Sequence, residues 1–194
     1  MNISVRTYGD GVFVCRPDTT WERENKDFYS PDTVSDIWYS PVVFARISKA
    51  GKSVSRKFAH RYYDGMNFGM LLYPGEIYRR KEAWSLAAAS ILDHTSYLPS
   101  PLYLPEVFRT AGNIFELEKD GRTVFSTATD DDGTALNAIE TALAEASAYV
   151  SLRIGDLVAV ELAEASVLSG PDEKKTGISA HFCNNELFRF YIIK

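Results

Sequence analysis

The stretch Tyr39-Ser40-Pro41-Val42-Val43-Phe44-Ala45-Arg46-Ile47 decides the fold. It is dense in β-branched and aromatic side chains, which suit a pleated, packed surface, so it reads as a buried strand. A turn-rich passage, Ser30-Pro31-Asp32-Thr33-Val34-Ser35-Asp36, leads into it, and the turn Lys49-Ala50-Gly51-Lys52 leads out. Beyond that turn, Phe58-Ala59-His60-Arg61-Tyr62-Tyr63-Asp64 reads as a short helix, because Phe58 and Tyr62 are four apart and share one face.

Upstream, Ile3, Val5 and Val12 to Val14 flank Tyr8-Gly9-Asp10-Gly11 and predict a hairpin. Arg16-Pro17-Asp18-Thr19-Thr20 reads as a loop, and Phe28-Tyr29-Ser30-Pro31-Asp32 as irregular or edge structure. Downstream, the apolar run 68–73 ends at Pro74-Gly75. Residues 79–92 predict a helix, with Ala83, Leu86, Ala87, Ser90 and Ile91 in one stripe. Pro99, Pro101 and Pro105 then exclude a long helix. Asp120-Gly121 joins strands at 114–119 and 123–127. Asp130-Asp131-Asp132-Gly133 lacks the spacing and distal glutamate of a calcium loop. It reads as the acidic start of a helix over 134–150, with Leu136, Ile139, Leu143, Ala146 and Val150 facing inward. The turn Arg153-Ile154-Gly155-Asp156 feeds a strand at 157–162, and 170–175 is a solvated loop. A last hairpin pairs 178–183 with 187–193 through Asn184-Asn185. Strands dominate, so the class is α+β, mainly β, in a single domain over 1–194.

The 194 residues are 45% hydrophobic and 24% charged, with a formal net charge of -5. An acidic balance works against nucleic-acid binding, which needs a basic surface to release counterions. It also gives no attraction to an anionic membrane. Cys15 and Cys183 stand far apart without a metal-binding pattern, and are expected as free, mostly buried thiols in a reducing compartment. No signal-peptide core and no membrane-length apolar run stands in the chain, so a cytoplasmic protein is expected.

Several phrases taken in order resemble the fumarylacetoacetate hydrolase family. They are Arg16-Pro17-Asp18-Thr19-Thr20, then Pro31-Asp32 with Ile37-Trp38-Tyr39, then Gly51-Lys52 with Phe58-Ala59-His60-Arg61-Tyr62-Tyr63-Asp64. Ser147, Tyr149, Leu152, Gly155, Asp156 and Leu157 match the family's C-terminal signature. The resemblance runs from about Arg16 to Lys194 and implies the mixed β-roll or barrel of that family's C-terminal domain, with a few helices and a shortened segment at 1–15.

The resemblance also implies a site, and here the residues depart from it. The family holds Mg2+ or Mn2+ with two glutamates of a Tyr-Glu-x-Glu-Leu phrase and a later aspartate. Those positions fall on Ser40, Val42 and Leu71, and the family's active-site lysine falls on Ser90, three residues before Asp93. A hard cation needs anionic oxygens, which valine and leucine lack and serine offers only as a neutral hydroxyl. No metal ligand and no cofactor is therefore expected, and Ser40, Val42, Leu71, Ser90 and Asp93 are expected to line a vestigial pocket. Asp93-His94 is the remaining acid–base pair, although adjacent residues seldom aim at one substrate atom. Three readings follow. One is a non-catalytic binding or scaffolding protein, as a homodimer or beside an active relative. Another is a hydrolase, isomerase or decarboxylase of a 2-oxo or β-diketo acid with an altered metal site. The third is metal-free chemistry near Ser90, Asp93 and His94. A small organic acid is the expected ligand class.

Overall fold

The opening stretch is a strand that starts two residues earlier than its sequence signal, at Ile37, and both of its faces are buried. The computed structural model describes residues 1–9, 11–80, 82 and 84–194. The strands are β1 (Asn2–Arg6), β2 (Phe13–Pro17), β3 (Trp21–Glu22), β4 (Phe28–Tyr29), β5 (Ile37–Ile47), β6 (Tyr63–Pro74) and β7 (Ser96–Tyr97). After them come β8 (Ile114–Lys119), β9 (Arg122–Ala128), β10 (Leu157–Glu161), β11 (Ser166–Ser169), β12 (Lys175–Phe182) and β13 (Asn185–Ile193). The α-helices among the described residues are α1 (Gly75–Tyr78), α2 (Ser85–Ala89) and α3 (Thr134–Tyr149). Strand at 42% against helix at 20% makes the class mainly β.

The larger sheet runs β2-β1-β10-β5-β6-β7-β3, with β11 also pairing β5. The smaller runs β4-β13-β12-β8-β9. β5 and β6 pair antiparallel from Ile37↔Pro74 to Ile47↔Tyr63. Successive side chains alternate between faces. Tyr39, Val43 and Ala45 of β5 and Phe68, Met70 and Leu72 of β6 pack in one cluster with the smaller sheet and α3. Val42, Phe44, Leu71 and Tyr73 pack on the opposite face, with Ile3 and Val5 of β1 and Ala89 of α2. A strand buried on both faces carries an unbroken apolar run rather than an alternating one, which is why 39–47 reads as it does. The two sheets meet through Phe68. Its ring stacks on Phe115 at 4.6 Å, meets Phe182 edge-on at 5.0 Å and lies 5.3 Å from Phe108.

Local pattern loses to long-range pairing in several places. The expected helix at 58–64 is a 3-10 turn at Arg56–Arg61, and Tyr63 and Asp64 already belong to β6, because the β5–β6 ladder extends that far. Of the expected helix at 79–92, the described residues keep one short piece. α1 forms earlier, with the Gly75 amide donating to the Asp36 carbonyl at 2.9 Å and Arg79 pairing with the Asp36 carboxylate at 2.6 Å. α2 keeps only Ser85–Ala89, Ile91 is exposed beyond it, and Lys81 and Ala83 lie outside the described residues. The hairpin of β1 and β2 forms, although Asp10 of its turn lies outside the described residues. Arg16 and Pro17 end β2 rather than open a loop. α3 buries Leu136, Ile139, Leu143 and Ala146, but Val150 follows its last residue and is exposed. Its first turn holds no acidic residue; Asp132 precedes it, accepting the Thr134 hydroxyl at 2.6 Å and the Thr134 amide at 2.9 Å, and these bonds, with one to Asp130, hold the Asp132 carboxyl below its usual range. Cys15 is exposed and Cys183 half-buried, so the thiols are free but not mostly buried. Among the described residues, no helix is long and apolar enough to cross a membrane.

Replacing Phe68 by alanine removes the ring that joins the sheets. The expected loss is about 3–5 kcal/mol of folding stability. Urea unfolding should show a lower midpoint with an unchanged slope.

Candidate functional site

Strand register gathers three of the positions singled out in the sequence. Ser40 of β5 pairs with Leu71 of β6, and Val42 lies between Glu161 of β10 and Gly69 of β6. Directly paired residues point to the same face, so Ser40, Val42, Leu71, Tyr73 and Glu161 share one side of the sheet. Ser40, Val42 and Leu71 are all 0% exposed.

Glu161 spans this face. Its Oε1 accepts the Tyr73 hydroxyl at 2.6 Å, and its Oε2 accepts the Tyr8 amide at 3.0 Å. The Ser40 hydroxyl donates to the Ala163 carbonyl at 2.9 Å. Arg16 completes the group, with its guanidinium carbon 5.0 Å from the Tyr73 ring centre. Its Nη2 donates to the Leu72 carbonyl at 3.1 Å and to Thr95 Oγ1 at 2.5 Å. Among the described residues its Nε and Nη1 find no partner. Burial sets the electrostatics. It pushes the Glu161 carboxyl up, against the Tyr73 hydroxyl, the Tyr8 amide and the Arg16 charge. It pushes Tyr73 well up and Arg16 down, and Glu161 and Tyr73 hold the arginine's charge in place.

This face does not fit a divalent cation. Mg2+ and Mn2+ take several oxygen ligands, carboxylates foremost. Ser40, Val42 and Leu71 supply one neutral hydroxyl, already donated to a carbonyl. Both oxygens of Glu161 are engaged, and a guanidinium stands nearby. Among the described residues, no group of three or more His, Cys, Asp or Glu is placed to hold a metal ion.

Of the remaining positions, Ser90 follows Ala89 of α2, which packs in the same cluster as Val42 and Leu71. Ser90 ends α2, fully buried, and its hydroxyl donates to the Leu86 carbonyl of its own helix at 2.7 Å. Asp93 and His94 follow in a turn and line a separate open cleft of about 900 Å³. His94 is left-handed at φ 57, and its Nδ1 lies 2.9 Å from Oε2 of the buried Glu22. Glu22 Oε1 accepts the Glu24 amide at 2.7 Å, so this carboxylate is held from its own loop. Ser40, Val42 and Leu71 thus share a packed sheet face, and Asp93 lines the cleft. Glu22, Tyr73 and Glu161 escaped the sequence reading. A glutamate ending the apolar run 157–162 was the one visible signal, since a charge in a buried strand needs a partner.

Solved structures match this architecture closely. A fumarylpyruvate hydrolase from Pseudomonas aeruginosa, solved with Mn2+ and pyruvate, superposes with a TM-score of 0.79 over 100% of this chain and 89% of its own, at 15% identity. A protein assigned to the fumarylacetoacetate hydrolase family from Yersinia pestis CO92 gives 0.78 over 99% of this chain and 92% of its own, also at 15% identity. The chain has the fumarylacetoacetate hydrolase fold. A third match to that fold is 2-hydroxyhepta-2,4-diene-1,7-dioate isomerase from Mycobacterium marinum, at 0.78 and 16% identity, covering 99% of this chain and 74% of the isomerase. No protein-family profile matches the sequence, and no curated protein matches it either. At these identities it is the fold that is shared.

The raised Glu161 carboxyl predicts a pH effect. The folded chain holds that proton more tightly than the unfolded chain does. The associated stability is therefore full below the ordinary glutamate value of about 4.3 and is lost as pH rises through the raised folded value. Glu161→Gln should flatten this part of the stability profile, measured by urea unfolding from about pH 4 to about pH 8.

Proposed function

We propose that this chain is a non-catalytic binding or scaffolding protein on the fumarylacetoacetate hydrolase fold, working as a homodimer or beside an active relative. The observation that carries the reading is the Tyr73–Glu161 bridge on the face bearing Ser40, Val42 and Leu71. Cleavage or isomerisation of a 2-oxo acid develops negative charge on oxygen, and a bound cation is one way to stabilise it. Here the space and the charge balance belong to the protein itself: Arg16 supplies a positive charge, and Glu161 with Tyr73 answers it. No Mg2+ or Mn2+ is needed for this role.

A second reading has one observation in its favour. The Glu22–His94 contact at 2.9 Å orients an imidazole, the arrangement a metal-free acid–base enzyme would use. It would place His94, with Asp93 beside it, in chemistry on a small acid.

Calorimetric titration with Mn2+ and an absorbance assay with fumarylpyruvate separate the readings. The expected result is no saturable one-to-one Mn2+ site of micromolar affinity and no turnover. A stoichiometric site with Mn2+-dependent turnover overturns the proposal. Turnover in chelator that is lost in His94→Asn establishes the second reading instead.

A further inference from the structure

We infer that the cleft beside Glu22 and His94 binds a small apolar molecule carrying a protonated amine. This rests on the reading of the chain as a binding protein and names the ligand class. The volume of about 900 Å³ is that of a small-molecule site. Its walls are largely apolar, with Phe28, Ile77 and Leu92 inside and Tyr29 and Ile91 at an exposed edge.

The polar groups decide the charge of the occupant. Glu22, Asp27 and Asp93 bring three carboxylates, against one ammonium on Lys26. That ammonium is already paired with Glu24 at 2.6 Å. Asp27 is partly committed, since its Oδ1 accepts the Tyr191 amide at 2.8 Å. Among the described residues, no cation pairs with Asp93. His94 Nδ1 lies 2.9 Å from Glu22 Oε2, and in the tautomer that donates from Nδ1 its Nε2 is an acceptor. Tyr29, 71% exposed, offers an aromatic face that attracts cations. Acceptors, negative charge and an open ring together suit an ammonium on an apolar body. An organic acid, the ligand class that the family resemblance implies, would meet the wrong sign.

Three probes share one ring and differ in charge: phenethylamine, phenethyl alcohol and phenylacetate. Their binding to the full chain is measured calorimetrically at low salt in chelator. The expected order is amine, then alcohol, then acid, with an amine Kd below about 1 mM. Asp93→Asn should weaken the amine about fivefold and leave the alcohol unchanged. Tyr29→Ala should weaken the amine about threefold. Both side chains are exposed, so both variants are expected to fold. The inference is overturned if phenylacetate binds as tightly as the amine, if both variants leave amine binding unchanged, or if the amine shows no saturable binding. Failure of the binding-protein reading looks different: Mn2+-dependent turnover of fumarylpyruvate with amine binding intact.

Discussion

Everything in the molecule hangs on the antiparallel pairing of β5 with β6. The ladder is continuous from Ile37↔Pro74 to Arg46↔Gly65, and both faces of it are buried. A slip of one residue would exchange the two apolar sets, putting Phe68 among the β1 strand side chains and Leu71 against the smaller sheet. That cost fixes the register, and the register places Ser40 beside Leu71. It also places Gly69, where a Cβ would meet the Tyr97 carbonyl oxygen at 2.5 Å. The bare backbone there admits β7 closely, and β7 follows directly on Thr95, whose hydroxyl receives Arg16.

The Arg16–Tyr73–Glu161 group shows how a buried charge can be tolerated inside an apolar cluster. Desolvating either ion alone is expensive, and mutual attraction offsets the cost only when hydrogen bonds complete the geometry. Glu161 reaches that condition through Tyr73 and Tyr8. Arg16 reaches it partly, with Nη2 bonded and two other nitrogens without partners among the described residues. Removing one member leaves the other exposed to the full desolvation penalty, so the three residues act as a unit. Structures sharing the fold at 15% identity include one solved with Mn2+. This chain shares that frame, and Arg16 and Glu161 are the charged side chains of the group on its sheet face.

The frame was legible in the sequence; the partners of its charges were not. Length and apolar density marked 39–47, and Asp120-Gly121 marked its hairpin, because those signals are local; the last turn falls one residue earlier than expected, at Cys183-Asn184, with Asn185 already paired to Phe182. β3 and β7 have two residues each, too few for any periodicity, and exist because β7 pairs with β6 and β3 pairs with β7. Phe58 to Asp64 looked helical by spacing and lost to a ladder partner a dozen or more residues away. Aligning Ser40 with Leu71 succeeded because both sit in strong apolar strands. Spacing alone gave no direction for Asp93, because a side chain in a turn is aimed by its neighbours, and it lines the cleft. Glu22 stands 72 positions before His94, and nothing local connects them.

The parallel pairings between strands far apart in sequence have a consequence for how the molecule is made. β1 lies against β10, Ile3 beside Leu157, and β4 lies against β13, Phe28 beside Ile192. Translation proceeds at about 5–20 residues per second, so the first hairpin emerges on the order of ten seconds before its sheet neighbour. In that interval Ile3, Val5 and the guanidinium of Arg16 stand in water, with the strand edge of β1 unpaired. The nascent chain therefore passes through a stage in which the β1 edge is bare, and neither sheet is complete until β10 and β13 have been made.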